Sequence, residues 1–474
     1  MRNKLYILLF CIAHLACTEE VPALKDIGKV KVKKAKDIEG SDLWIGGEVL
    51  DRDLCSYDAY KEYLGTLAAK KIRLQSGWAK TEKERGVYDF AWLDHIVDDA
   101  ISRGVQPWIQ ISYGNPIYPG SGGVSLSQGL ITSDEALDAY ANYSTTLVNH
   151  FKDRVNEWEV WNEADHRFNR AMGHGELLYA KMFEKSADAI RAAQPDAKII
   201  ALSIAGVGRV EFVGGFFDYL KERGKVDLVD VVSFHGYPRN PDGNFNAVKR
   251  LVNTTQKYSD KIEFWQGETG CPSSLGSTGA LSKYPWTEAS QAKWNSRRAL
   301  AHLGRGIPFS LFLLSEFVYN DTTRKGLNTK GILKINEEDF SVVRPKPAYF
   351  AYQHLTSVFN HELTLSNENN LEVASDSSVS IFNWKNAESL PVIAYWTDAS
   401  IPADNDTFHE IKITVNPEIK QPVLVNVISG KVQQIGPGLI EKNGDKVIYK
   451  LPCYDAPMLL TDLKAIEIDN MAGE

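Results

Sequence analysis

A closed barrel of eight parallel β/α units, an α/β fold of the (β/α)8 TIM-barrel class, followed by a smaller all-β sandwich, is the architecture this 474-residue chain predicts. Three observations predict it. From Trp44 to Phe359, short apolar runs alternate with longer segments whose apolar residues recur at helical spacing. After Asn360 only short β-type runs remain, separated by Asn, Gly, Pro and Asp. The length exceeds one average domain, whereas an α/β barrel alone takes about 250 residues or more.

In chain order, Trp44 to Val49 reads as the first strand and Tyr57 to Ala69 as its helix. Lys71 to Leu74 is the second strand, and Phe90 to Gly104 is helical with Leu93, Ile96 and Val97 on one face. Gln106 to Ile111 is the third strand, stopped by Gly114 and Pro116. Ser133 to Val155 is a long helix with Ser133 as N-cap and Asp134 and Glu135 in its first turn. The fourth strand is the run Trp158 to Glu163, followed by a helix over Glu176 to Gln194. Ile199 to Leu202 and Val229 to Phe234 are strands five and six, with Phe212 to Arg223 helical between them. Phe245 to Tyr258 is a helix, Ile262 to Glu268 the seventh strand, and Thr287 to Gly304 its helix. Phe309 to Leu314 is strand eight, and a helix over Lys346 to Phe359 completes the ring. Six runs, from Val379–Trp384 to Met458–Leu460, make the sandwich.

The predicted organisation is therefore a signal segment over 1–17, a tether over 18–40, the barrel over 41–359 and the sandwich over 360–474. Arg2 and Lys4 precede an apolar stretch, Leu5 to Ala16, too short to span a bilayer. Leu15-Ala16-Cys17 resembles a bacterial lipobox, which implies export and lipidation of Cys17, with His14 where a lipobox usually has Leu. The Lys/Asp-rich, aperiodic stretch from Val21 to Gly40 has the composition of a tether. Cys55, Cys271 and Cys453 remain in the body without C-x-x-C spacing, which argues against a zinc site and allows one disulfide at most. Cys55 and Cys271 are the pair placed to meet, and separate buried thiols are the favoured alternative. A net charge of −8, from 53 basic and 61 acidic residues, supplies no field for nucleic acid.

The chemistry is expected at the C-terminal ends of the barrel strands, where βα loops build the active face. Strand four ends in Asn162-Glu163 and strand seven in Gly267-Glu268. These strands are not adjacent, so their tips can face each other across the mouth. Two carboxyls about 5–5.5 Å apart are what retaining cleavage of a glycosidic bond needs, one as proton donor and one as nucleophile. Their environments have to differ, because the acid needs its proton and the nucleophile its charge. Arg73, at the tip of strand two, is a candidate cation for the nucleophile. His235 and Tyr237, after strand six, are candidates to orient it, and Asn162 to bind a sugar hydroxyl. Trp78, Tyr113, Asn115 and Trp286 are placed in mouth loops where they can stack on sugars or bond to them.

The sequences W-N-E after strand four, H-G-Y after strand six and W-Q-G-E after strand seven resemble those of the clan A glycoside hydrolases. Within that clan, the trailing sandwich after K-P-A-Y-x-A (Lys346 to Ala351) is most similar to family 39, whose members include β-xylosidases. The resemblance implies Glu163 as general acid/base and Glu268 as nucleophile, with Asn162, Arg73, His235 and Tyr237 in support and no cofactor or metal. Many clan members carry a Trp at the tip of strand eight; this chain has Leu314-Ser315-Glu316-Phe317, and Glu316 is the candidate polar replacement.

The expected function is hydrolysis of an oligo- or polysaccharide by double displacement, as in a β-xylosidase or related exo-glycosidase, by a protein attached to the membrane through its lipid only. An endo-acting glycanase of the same clan and a non-catalytic surface glycan-binding lipoprotein are the alternatives.

Overall fold

The computed structural model describes residues 24–170, 173–320, 324–366 and 371–470. The signal segment and Cys17 lie outside the described residues. A strand at Leu24–Val30 (β1) comes first, and a closed parallel barrel follows. Its strands are Leu43–Gly46 (β2), Lys71–Gln75 (β3), Gln106–Ile111 (β4), Glu157–Val160 (β5), Lys198–Ile204 (β6), Val231–His235 (β7), Glu263–Thr269 (β8) and Phe309–Leu311 (β9). β2 pairs with both β3 and β9, which closes the ring. All eight expected strands and all eight expected helices are present, with ends shifted by a few residues.

Trp44, Trp108, Ile200 and Trp265, from alternate strands, fill the barrel in one layer with Val231. The three indoles lie 4.7–5.5 Å apart between ring centres. This apolar plug makes the barrel a packed core, so the usable space lies at its mouth. Gly267 is required beside it, because a Cβ there would lie 2.2 Å from Ser233 Oγ.

Strand eight is shorter than expected, and two hairpins unforeseen in the sequence follow it. They are Phe317–Asn320 with Lys325–Asn328 (β10, β11) and Leu333–Ile335 with Val342–Pro345 (β12, β13). Glu316 pins them from beneath. Its carboxylate is 2.6 Å from Lys346 Nζ and accepts a hydrogen bond from the Ile335 amide.

The expected tether is also corrected. β1 pairs with Lys431–Ile435 (β20) on one side and Ile468–Asn470 (β24) on the other. Residues 35–38 then run against the barrel, where Lys70 donates to the Ala35 and Ile38 carbonyls. A bulge between Asp26 and Gly28 breaks the two-residue alternation, so the stretch does not look like a strand.

The remaining strands are Thr364–Leu365 (β14), Leu371–Ala374 (β15), Val379–Lys385 (β16), Pro391–Thr397 (β17), Phe408–Val415 (β18), Pro422–Asn426 (β19), Ile440–Asn443 (β21), Lys446–Tyr454 (β22) and Met458–Asp462 (β23). They form an eight-stranded sheet, β14-β16-β17-β23-β19-β20-β1-β24, and a four-stranded sheet, β15-β18-β22-β21. The larger sheet is buried on both faces. Ile393, Tyr395, Leu424 and Leu460 meet the small sheet. Val392, Ala394, Trp396, Val423 and Leu459 alternate with them and join the barrel core. Cys55, Cys271 and Cys453 are buried free thiols, so the considered Cys55–Cys271 disulfide does not form.

Candidate active site

Both glutamates stand where their strands end. Trp161 and Glu163 adopt left-handed backbone conformations, with φ of 69° and 48°. Such geometry costs about 1–3 kcal/mol per residue and persists only where neighbours enforce it. Here the Trp161 amide donates to Ile111 O, the Glu163 amide to Ser203 O, and Asn169 Nδ2 to Glu163 O. The turn brings the Glu163 carboxylate to 3.1 Å from His235 Nδ1. Glu268 is the penultimate residue of β8, its amide donating to Gln266 Oε1.

One oxygen of each carboxylate and one His235 nitrogen lie within 4.8 Å of one another. That spacing belongs to the retaining arrangement and is well inside the separation of about 6.5–9.5 Å that accommodates an inverting water. Arg73 is buried beneath them. Its Nη1 donates to Glu268 Oε2 at 2.8 Å and Glu48 Oε1 at 3.0 Å, its Nε to Glu159 Oε2 at 2.8 Å, and its Nη2 to Asn162 Oδ1 at 3.1 Å. A fixed positive charge so close to Glu268 disfavours a metal ion among the three groups.

Tyr237 donates to Glu268 Oε1 at 2.6 Å. Burial pushes the Glu268 carboxyl upward, but the charges of His235 and Arg73 and the Tyr237 hydrogen bond outweigh it and hold it below the usual carboxylate range. His235 Nδ1 is 3.1 Å from Glu163 Oε1, while Nε2 is 3.5 Å from the donor Nη2 of Arg73. Nδ1 therefore carries the proton, in either charge state of the ring. Burial lowers the His235 pKa, yet Glu268 and the Glu163 hydrogen bond raise it net. Glu48 differs from Glu268. Burial dominates, the charge of Glu268 adds to it, and Glu48 is raised to about 7 despite Arg73.

A cavity of about 530 Å³ opens over this cluster, within the range of about 300–1,000 Å³ for small-molecule sites. Glu163, Glu268, Asn162, Tyr237 and Tyr113 line it. Tyr113 is mostly buried, its hydroxyl accepting from Asn162 Nδ2 at 2.9 Å and its ring facing the Arg52 guanidinium. A second cavity of about 560 Å³ shares Arg52, Tyr113 and Ser125 with the first.

Four sequence candidates do not reach the first cavity. Trp78 is buried, stacked between Tyr118 and Tyr143 and bonded to Glu82, and it lines the second cavity instead. Asn115 donates to Glu82 O and fixes its own loop. Trp286 packs with Cys271 and Trp294, its Nε1 on Leu281 O. Glu316 is spent on Lys346. An indole or amide in a loop satisfies a packing need as readily as a sugar, and in this structure Asn115, Trp286 and Glu316 are engaged in packing and bonding away from the first cavity.

Glu48, Arg52, Phe312, Tyr319, Arg324 and Lys330 line the cavity without having been singled out from sequence. Glu48 alone carried a legible signal, as a carboxylate near the end of the expected first strand. Tyr319, Arg324 and Lys330 arrive on or beside the unforeseen β10–β11 hairpin.

A parallel eight-stranded barrel with two glutamates 4.8 Å apart or less at the fourth and seventh strand tips has the architecture of a retaining glycoside hydrolase. Residues 73–264 match the family model of glycosyl hydrolases family 39, in keeping with the resemblance carried by the strand-tip motifs. Endo-1,4-beta-xylanase A of Phanerodontia chrysosporium is 29% identical over 124 residues, 26% of this chain; the chain spans only 29% of that relative's length. A family 39 glycoside hydrolase from Bacteroides cellulosilyticus WH2 superposes with a TM-score of 0.63 at 19% identity, covering 89% of this chain and 80% of the other. A monomeric beta-xylosidase from Caulobacter crescentus CB15 does so with a TM-score of 0.57 at 17% identity, covering 93% and 98%. At these identities the structural likeness establishes the fold.

Proposed function

We propose that the protein is a retaining glycoside hydrolase, β-xylosidase-like in its mechanism and exo-acting. The observation that carries this is the approach of the Glu163 and Glu268 carboxylates to within 4.8 Å, with Glu268 kept charged by Arg73 and Tyr237.

Glu268 attacks the anomeric carbon as Glu163 gives its proton to the leaving oxygen, and a covalent glycosyl-enzyme forms. Glu163, now a carboxylate, takes a proton from water, and that water displaces Glu268 from the sugar. His235 Nδ1–H, at 3.1 Å, holds Glu163 in place through both steps. Asn162 Nδ2 has one hydrogen committed to Tyr113, which leaves the other for a sugar hydroxyl.

Glu268→Ala tests the assignment. Turnover of an activated aryl glycoside is expected to vanish and to return in part with azide, as a glycosyl azide of inverted configuration. Wild-type turnover in that variant excludes Glu268 as nucleophile. The second cavity favours substrates longer than the sugar being cleaved; product size against time on a polymer separates exo from endo attack.

Export and anchoring through Cys17 complete the proposal. It is supported by the charged and apolar succession ahead of that cysteine. Cys17→Ser is expected to move the protein from the membrane to the soluble fraction and to end incorporation of labelled fatty acid.

A further inference from the structure

Three carboxylates share the Arg73 guanidinium, and they are not held alike. Glu159 takes Arg73 Nε at 2.8 Å, Gln110 Nε2 at 3.2 Å and the Ser203 hydroxyl. Glu268 takes Arg73 Nη1 at 2.8 Å and the Tyr237 hydroxyl at 2.6 Å, with His235 Nδ1 3.7 Å away. Among the described side chains Glu48 has Arg73 Nη1 alone, at 3.0 Å to Oε1. Its Oε2 is buried with no donor among the described residues, and it fills the place of a side chain on Gly46, 2.2 Å from the Cβ that the glycine lacks.

One guanidinium does not neutralise three buried anions, and the carboxylate with the fewest donors is the one that loses least by taking a proton. Burial, opposed by Arg73 and assisted by the Glu268 charge, raises Glu48 to about 7. The other titratable groups that face Glu48 are Tyr237 after β7, Tyr60 on the first helix and Cys55 ahead of it. Burial pushes all three up and keeps them neutral, so Arg73 and Glu268 are the charges that Glu48 answers to. Glu48 and Glu268 occupy the two hydrogens of one nitrogen, Nη1, so their bonded oxygens are at most about 6 Å apart.

We propose that Glu48 is a positioning residue that exchanges charge with the nucleophile across Arg73, holding a proton while Glu268 is an anion and releasing it while Glu268 is a glycosyl ester. This rests on the hydrolase reading of the site. In the first step the bond from C1 to the leaving oxygen breaks, that oxygen keeps the electron pair and takes the Glu163 proton, and a Glu268 oxygen bonds to C1. Arg73 Nη1 then faces an uncharged ester, and the Glu48 proton passes to water in the cavity that Glu48 lines. In the second step water bonds to C1 and gives its proton to Glu163, Glu268 leaves as a carboxylate, and Glu48 regains a proton from water. In between, the anionic Glu48 offsets the positive charge that gathers on the sugar as the ester breaks.

Glu268→Gln imitates the uncharged ester without substrate. In infrared spectra of the whole protein carrying Glu163→Gln, which removes the other catalytic carboxyl, a protonated-carboxyl band that Glu48→Gln abolishes is expected to titrate near pH 7. With Glu268→Gln added, its midpoint is expected to fall to roughly pH 5–6, the effect of losing one charge at that distance. A band missing at pH 6 before that addition, or a midpoint that stays in place after it, overturns the proposal whatever becomes of hydrolysis. The comparison with and without Glu268→Gln decides even if Glu48→Gln fails to fold. In turnover, Glu48→Gln imitates the protonated form. On a dinitrophenyl glycoside, whose leaving group makes the second step limiting, kcat and KM are expected to fall together by roughly 10-fold while kcat/KM stays nearly constant. An unchanged kcat, or a fall in kcat with KM unchanged, overturns the part of Glu48 in the second step. No turnover of any dinitrophenyl glycoside by the wild type, with the infrared midpoint still displaced, sinks the hydrolase reading and leaves the exchange of charge between Glu48 and Glu268 standing.

Discussion

Glu48→Gln probes the charge balance around Arg73 directly. One guanidinium serves three carboxylates, at 3.0 Å to Glu48, 2.8 Å to Glu159 and 2.8 Å to Glu268. Glu48 Oε2 is buried with no partner, and burial has raised the group from 4.5 to about 7. Between those values the folded protein binds a proton that the unfolded chain releases. The contribution to stability is therefore complete below about pH 4.5 and is lost as pH rises through about 7. A shift of about 2.5 units corresponds to about 3 kcal/mol. The glutamine keeps an acceptor for Arg73 Nη1 and has nothing to ionise. Relative to wild type, the variant is expected to gain about 3 kcal/mol between about pH 5 and pH 8.5 in urea unfolding. A gap that stays constant across that range, or that grows toward acid, refutes the reasoning.

Three other outcomes follow from described contacts. Tyr237→Phe removes a donor 2.6 Å from Glu268 and is expected to raise the acid limb of the kcat/KM profile by about one unit; an unmoved limb contradicts the contact's role. Glu316→Ala leaves the Lys346 ammonium buried without its counter-charge and is expected to cost about 3–5 kcal/mol of stability, with KM on any good substrate little changed. A large KM effect at unchanged stability restores Glu316 as a sugar ligand. A chain beginning at residue 31 is expected to unfold at lower denaturant than one beginning at residue 24, because β1 and its two ladders are lost; equal midpoints return that stretch to the status of a tether.

The ring of the barrel was legible because each parallel strand is a dense apolar run between helices of clear period, so errors of a few residues at the ends change nothing. Glu163, Glu268, Arg73, His235 and Tyr237 were legible for a second reason: strand tips converge wherever the barrel closes. Loop residues carry no such guarantee. Trp78 and Trp286 look like sugar platforms on the page, yet each indole found a buried partner nearby. Lys330 and Arg324 were illegible because they ride on or beside four-residue strands too short to leave a periodic trace. β1 escaped because its bulge erased the alternation that marked the other sheet strands.

The placement of β1 reaches beyond stability. The first described strand to leave the ribosome has neighbours, Lys431–Ile435 and Ile468–Asn470, that emerge some four hundred residues later. The large sheet cannot be completed until residues 468–470 have emerged, whereas every barrel strand is already made by residue 311. A chain interrupted before residue 431 leaves β1 without either of its neighbouring strands, so a break far downstream is felt near the beginning.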